Sequence, residues 1–254
     1  MKKIDIHIHP KFPAENVGGI IAHMDRYEIE KIFALGSITS EEVNENILRL
    51  RRLAPDRIVG APYIDPRASD AFDKLQRYYD AGCRVVKLFP NYGYYPDDPA
   101  VLPFFEKVAS LHCGVLSHCG WLGVKEVCAT KYARPSHFEE LFRRFPEIPF
   151  IMAHMGGIDG FIEGIMYTTR TPNVYLDTTP GQSYWVFKYA PDFVKGMPPE
   201  RLLLGSDGVS PETDDSTYKT ISGHLSALGW EARLDDIFYR NADNLIKQYH
   251  LIPD

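Results

Sequence analysis

Histidine occupies 9 of the 254 positions, and four of the nine fall inside three short apolar runs. His7 and His9 lie in Ile4-Asp5-Ile6-His7-Ile8-His9, His118 closes GVLSH, and His154 closes PFIMAH. Two further runs carry polar side chains late: RVVKLF holds Lys87, and RLLLGSD ends on Asp207. Imidazoles and a carboxylate meeting at one point form the donor set of a borderline divalent ion such as Zn²⁺, Mn²⁺ or Fe²⁺. Such an ion lowers the pKa of water from 15.7 toward ~7, so hydroxide is available at neutral pH. Asp207, touching metal and water, is suited to act as general base and then as proton donor. His154 or Lys87 is suited to polarise a carbonyl oxygen.

The first run sets the local geometry. With period-two alternation its three isoleucines share one face, and Asp5, His7 and His9 share the other. The isoleucines are expected against helices and the polar set inside, where an unpartnered polar group costs several kcal/mol. Asp5 is expected to be a buried hydrogen-bond partner, with orientation of a ligand histidine as its functional option. Each residue taken alone also fits an ordinary structural role. A strand-end histidine can be satisfied in the core, Asp207 can cap a helix, and Lys87 can extend its ammonium to solvent. The combination is what points to a metal. His23, His112, His137, His224 and His250 lie in helix-like or loop segments and are read as structural or exposed.

Positioning such a set requires a scaffold. Eight strand-like runs begin near Ile4, Lys31, Ile58, Arg84, Gly114, Pro149, Asn173 and Arg201, at spacings of 24 to 35 residues. One strand, one helix and two short loops take about 30 residues, so eight units fill the chain. Between the runs lie amphipathic segments, among them Ser40 to Leu53, Ser136 to Phe145 and Asp235 to Tyr249. Ser40 to Leu53 opens on Ser and acids and closes on arginines, as the helix dipole favours. Strands alternating with helices imply an α/β fold with a parallel sheet, and eight regular units imply a single (β/α)8 TIM barrel. One domain over residues 1–254 is expected. The polar residues then collect at the C-terminal rim of the strands, where barrels of this type carry their active sites.

Composition narrows the partners. At 44% hydrophobic and 24% charged the chain has the balance of a globular protein, not of a disordered one. Its net charge is -6 and it has no basic block, which excludes a phosphate-backbone footprint and hence nucleic acid. No apolar run approaches the roughly 18 residues of a membrane span, and the first residues lack the apolar core of a signal peptide. Four cysteines without CxxC spacing fit reduced thiols and a cytoplasmic location. The expected partner is a small-molecule substrate, and assembly into a homo-oligomer is left open. Tyr92, Tyr94 and Tyr95 follow the fourth strand, and the long fifth interval holds Trp121, Lys125, Lys131, Tyr132 and Arg134. Tyr92, Tyr94, Trp121 and Arg134 are the expected substrate contacts, with Trp185 as a further wall.

HxH on the first strand, Lys on the fourth, His on the fifth and sixth and Asp on the eighth resemble the amidohydrolase superfamily. The stretches IDIHIHP, VVKLFPNYGYYPDDP, VLSHCG, FPEIPFIMAHMGG, NVYLDTT, LLLGSDGV and RNADNLI resemble its amidohydrolase-related (type 2) branch, in order along nearly the whole chain. The resemblance implies His7, His9, His118 and Asp207 as ligands of a single divalent ion, zinc first and manganese or iron as alternatives. His154 is then an additional ligand or a residue beside the metal. In binuclear members of the superfamily the Lys of the fourth strand is carboxylated and bridges two metals, and Lys87 holds that position. The branch implies a metal-dependent hydrolase acting on an ester, lactone or amide. Its alternative is a metal-dependent lyase, a non-oxidative decarboxylase or hydratase of an unsaturated or aromatic acid.

Overall fold

A computed structural model of the chain describes residues 1–11, 17–38, 40–123, 129–208 and 215–253. Eight strands run in order: β1 (Lys3–Ile8), β2 (Ile29–Leu35), β3 (Ile58–Ala61), β4 (Val85–Leu88), β5 (Gly114–Ser117), β6 (Phe150–Met152), β7 (Val174–Asp177) and β8 (Leu202–Leu203). They pair in parallel with their sequence neighbours as β1-β2-β3 and β4-β5-β6-β7-β8. Two isolated parallel bridges, Tyr63 to Lys87 and Ile8 to Gly208, join the two sets. At the first seam Lys87 N donates to Pro62 O at 2.9 Å. At the second, Ile6 N donates to Leu204 O at 2.9 Å and His9 N to Gly208 O at 2.8 Å. The eight strands therefore close into the barrel that the spacing predicts.

Helices fill the intervals: α1 (Val17–Arg26), α2 (Glu41–Leu53), α3 (Ala71–Asp80), α4 (Leu102–Ser110), α5 (Glu139–Arg144), α6 (Phe161–Arg170), α7 (Gln182–Tyr189), α8 (Pro191–Lys195), α9 (Ser216–Ala227) and α10 (Asn241–Gln248). Helix α2 has Glu41 and Glu42 in its first turn and Arg51 and Arg52 in its last, matching the helix dipole. Ser40 stands at its N-cap position but makes no side-chain cap bond. The predicted helix over Ser136 to Phe145 begins as a 3₁₀ turn at Pro135–Phe138 and becomes α-helical only at Glu139. The last helix likewise starts as a π turn over Asp236–Arg240. Among the described residues no helix is long and apolar enough to cross a membrane.

Two buried layers follow from strand alternation. Ile32, Ala34, Val86, Leu88, Phe150, Met152, Val174 and Leu176 pack outward among helix residues such as Ile47, Phe104 and Phe142. Phe33, Leu35, Val59, Val85, Leu116, Ile151, Tyr175 and Leu203 form the barrel interior. Helix α10 adds Ala242, Leu245 and Ile246 to that interior, and its Asp243 meets Lys31 at 3.3 Å. Lys31 lies near the start of β2, so α10 closes the N-terminal end and leaves the opposite rim for the site.

Strand β1 departs from simple alternation. Ile4 pairs with Lys31 and Asp5 with Ile32, but Ile8 pairs with Ala34, so β1 spends one residue more than β2 across the same interval. Ile4 and Ile6 join the interior, whereas Ile8 packs with the outer layer. The expectation of three isoleucines on one face is therefore corrected. A β-bulge between Asp5 and Ile8 changes the phase of the strand, and this turns His7 and His9 inward. Asp5 faces away from them: its carboxylate accepts from Tyr218 Oη on α9 at 2.7 Å and from the backbone N–H of Ser206 at 3.1 Å.

Candidate metal centre

The bulge and the second seam bring β1 and the segment after β8 to the same point. His7 Nε2 and His9 Nε2 each lie 3.6 Å from Asp207 Oδ1. Ligand atoms of these three residues all fall within 4.8 Å of one another, the one such cluster among the described residues. The hydrogen bonds behind the rings fix which nitrogens face the cluster. His7 Nδ1 meets Asp177 Oδ2 at 2.8 Å and Thr179 Oγ1 at 3.0 Å. His9 Nδ1 meets the carbonyl oxygen of Leu35 at 3.2 Å. A carbonyl and a carboxylate only accept, so both Nδ1 atoms carry the proton and both Nε2 atoms present lone pairs. Burial disfavours the charged form of each ring, and Lys87 adds to this at His7, so both titrate below the ordinary histidine value. Two lone pairs and a carboxylate aimed at one point are the chemistry of a divalent-ion site.

Asp207 is held in place at a conformational cost. Its φ is +56°, in the left-handed region that side chains other than glycine rarely adopt, and His154 shows the same φ. Each such residue costs on the order of 1–3 kcal/mol, and such strain concentrates at functional sites. The Asp207 side chain is 42% exposed. Desolvation opposes its ionisation, but His7, His154, His9 and Lys87 outweigh it and hold its carboxyl well below the usual range.

A cavity of about 380 Å³ opens over this cluster. His118, His154, Phe89, Trp121, Gln182 and Trp185 contribute walls, and Lys11 and Ser37 add polar groups. His154 Nδ1 meets the Pro180 carbonyl at 3.2 Å, which leaves Nε2 as a basic nitrogen. Lys87 is fully buried beneath the rim, 3.5 Å from His7 Nε2, and does not line the cavity. Burial pushes its pKa down to about 8, so the Asp177 and Asp207 carboxylates nearby do not fully offset desolvation.

Other expected positions fall elsewhere. His118 lies outside the ligand cluster: its Nε2 donates to the Trp121 carbonyl at 3.2 Å, and its ring stacks on Phe89. The turn at Gly120, with φ +74°, places that carbonyl against the ring. Tyr94 is corrected from substrate contact to core residue: it is 4% exposed and packs in the outer hydrophobic layer. Tyr92 does not line the cavity either; its backbone carbonyl accepts from Arg67. Arg134 is ion-paired with Glu163, which removes it from the cavity wall. Trp121 and Trp185 do line the mouth, and Lys125 lies outside the described residues.

Two further residues at the site, Asp177 and Gln182, carry no distinctive signal in the sequence. Asp177 ends β7 as the other polar residues end their strands, yet an Asp after a strand reads equally as a helix cap. Gln182 opens α7, and nothing in its local pattern shows that its side chain ties two other loops together. It accepts from Trp121 N at 2.9 Å and Ile158 N at 3.0 Å, and donates to the carbonyls of Cys119 at 3.2 Å and Trp121 at 2.8 Å.

Solved structures reproduce the barrel along the whole chain. An uncharacterised TIM-barrel protein from Bordetella bronchiseptica has a TM-score of 0.72 at 18% identity, covering 98% of this chain and 100% of that one. A probable 2-pyrone-4,6-dicarboxylic acid hydrolase from Acinetobacter baumannii, with citric acid bound, has a TM-score of 0.67 at 17% identity, with 97% and 100% covered. A 5-carboxyvanillate decarboxylase from Novosphingobium aromaticivorans, with manganese bound, has a TM-score of 0.61 at 15% identity, with 89% and 80% covered. At these identities the likeness establishes the fold. No curated protein matches the chain. The sequence itself carries the kinship further, because residues 4–246 match the family model described as Amidohydrolase. From its first barrel strand to its last helix, the chain belongs to the amidohydrolase family of enzymes.

Proposed function

We propose that this enzyme is a metal-dependent hydrolase, working as a single domain on the ester, lactone or amide carbonyl of a small molecule. The observation that carries the reading is the convergence of His7 Nε2, His9 Nε2 and Asp207 Oδ1 at the floor of an open cavity. A single divalent ion fits this donor set, and two imidazoles with one carboxylate suit zinc, with manganese or iron as alternatives. When bound, the ion supplies the Lewis acidity that makes water a nucleophile at neutral pH. Asp207 accepts the proton of the attacking water and returns it to the leaving group. His154, on the cavity wall, stabilises the developing oxyanion. Phe89, Trp121 and Trp185 supply flat apolar walls for the rest of the substrate. Buried free thiols at Cys83, Cys113 and Cys119 support a reducing compartment, the cytoplasm.

Elemental analysis of protein purified without added metal, paired with turnover, tests the reading. One ion per chain is expected, lost together with activity in His7→Ala and His9→Ala. Full turnover by metal-free enzyme would overturn it, and two ions per chain would assign Lys87 to a bridging, carboxylated role. The similarity to a decarboxylase favours one alternative, a lyase on the same residues. Release of carbon dioxide from an aromatic acid, without hydrolysis of any carbonyl substrate, would decide for it.

A further inference from the structure

Ten large hydrophobic side chains are exposed among the described residues, and seven of them gather on one side of the barrel. Ile158, Ile162 and Met166 form a stripe at four-residue spacing along α6 and its entry. Trp185 and Tyr189 stack with ring centroids 5.5 Å apart on α7. Trp121, Ile158, Trp185 and Tyr189 share one groove of about 420 Å³. Phe193 on α8 joins them through Phe161, whose ring it meets at 5.9 Å and which lines the same groove. The seven are 41% to 64% exposed, whereas Met1, Leu53 and Phe72 lie on other elements.

We propose that a second copy of this chain covers this face, in a two-fold dimer built on α6, α7 and α8. Area is the first argument. Given the 150–250 Å² of a large aromatic side chain, the seven expose together on the order of 800 Å², which is what each partner of a stable interface buries. A patch this large exceeds what monomers usually leave open. Composition is the second: Trp, Tyr, Phe and Met are the residue types enriched in protein interfaces, and four of the seven are aromatic. Lys188, Asp192 and Lys195 are exposed on the same helices and supply a rim of mixed sign. A two-fold contact needs one patch to complement itself, and a flat apolar face does this without matching charges. With no basic cluster among these residues, the face does not suit an anionic membrane. Trp121 and Trp185 line both this face and the catalytic cavity, so the partner chain also walls the cavity mouth.

Sedimentation velocity and light scattering on the full chain test the proposal. The wild type is expected to run as a dimer, and Ile162→Glu with Met166→Glu to raise the dissociation constant at least about 100-fold, because each places a carboxylate in an apolar contact. Both side chains point to solvent on a helix, and an unchanged thermal melt of the dilute protein confirms that the variant folds. As a second readout, acrylamide quenching of tryptophan should be weaker in the dimer than in the dissociated variant. A wild type that stays monomeric at about 100 μM, or a dimer that both substitutions leave intact, overturns the proposal. Uptake of the wild type by anionic or neutral lipid vesicles in place of self-association would also overturn it.

Discussion

Asp177 Oδ2 lies 2.8 Å from His7 Nδ1, while Asp177 Oδ1 accepts the backbone N–H of His154 at 2.7 Å. One buried carboxylate on β7 thus fixes the ring of His7, the ligand proposed from β1, and the strained backbone that follows β6. Burial alone would raise its pKa, but the bonds to His7 and the neighbouring charge hold it below the ordinary aspartate value. The residue therefore stays ionised and acceptor-only, which keeps the proton on His7 Nδ1 and the lone pair on Nε2.

Asp177→Asn preserves shape and removes that constraint, because an amide can donate to Nδ1 and stabilise the wrong tautomer. We expect metal affinity to fall about 10- to 100-fold, the usual cost of losing a partner behind a ligand histidine. Competition with a chromophoric chelator measures this directly. Thr179→Val should give a smaller loss, since its hydroxyl only shares the same N–H. Unchanged affinity in Asp177→Asn would show that Asp177 serves the fold and not the ligand.

His118 and His9 should separate in a similar assay. His9 belongs to the cluster within 4.8 Å, whereas His118 spends its Nε2 on the Trp121 carbonyl. His9→Ala is expected to lose the metal, and His118→Ala to keep its stoichiometry while kcat/KM falls. Metal content by elemental analysis, read beside turnover, decides this. Equal metal loss in both variants would make His118 a ligand despite its present hydrogen bond.

These contrasts show what local pattern carries. Strand spacing alone yields eight βα units and places His7, His9, Lys87, His154 and Asp207 toward one rim, because each sits late in an apolar run. The bulge in β1 is a different matter. It comes from pairing with β2 and with the segment that follows β8, and the alternation of Ile and polar residues in Ile4–His9 holds no sign of it. Strict alternation therefore assigns Asp5 to the wrong side, beside the histidines and away from Tyr218. Tyr94 fails for a related reason: a tyrosine in a rim loop can face the cavity or fold back into the core, and the loop's path is set by distant contacts. Asp177 was legible as a strand-end carboxylate, but only the three-dimensional approach to His7 distinguishes it from a helix cap.

The buried thiols give a pH dependence with a definite sign. Burial pushes the pKa values of Cys83 and Cys113 from 9.0 up to about 12. Between those values the unfolded chain loses thiol protons that the folded chain keeps, so the folded state binds more protons and stability falls as pH rises. Below pH 9 the two thiols contribute no such slope. The urea midpoint should therefore drop between about pH 9 and 11, and drop less steeply in Cys83→Ala, whatever that variant's midpoint at neutral pH. Identical slopes in the two proteins would remove the thiols from the account. The same burial predicts slow alkylation of Cys83 and Cys113 in the native protein, read residue by residue by mass spectrometry.

Gln182 should prove to be the main tie among the rim loops. Its amide bonds four backbone groups on two segments, after β5 and after β6, while its own backbone belongs to the start of α7. Beneath it Gly120 and Gly157 pack so closely that a Cβ on Gly157 would sit 2.4 Å from Gly120 Cα. Gln182→Leu keeps the volume but strands the N–H groups of Trp121 and Ile158 and the Cys119 carbonyl, while the Trp121 carbonyl keeps the bond from His118 Nε2. At about 1–3 kcal/mol for a buried group left unsatisfied, partly relieved by water at the cavity, a loss of roughly 2–4 kcal/mol is expected. Because Trp121 hangs from one of the freed loops, KM should rise more than kcat falls. Chemical denaturation and steady-state kinetics on the same preparation check both halves. A variant as stable as the wild type would mean that the two loops hold their places through the Gly120–Gly157 contact alone.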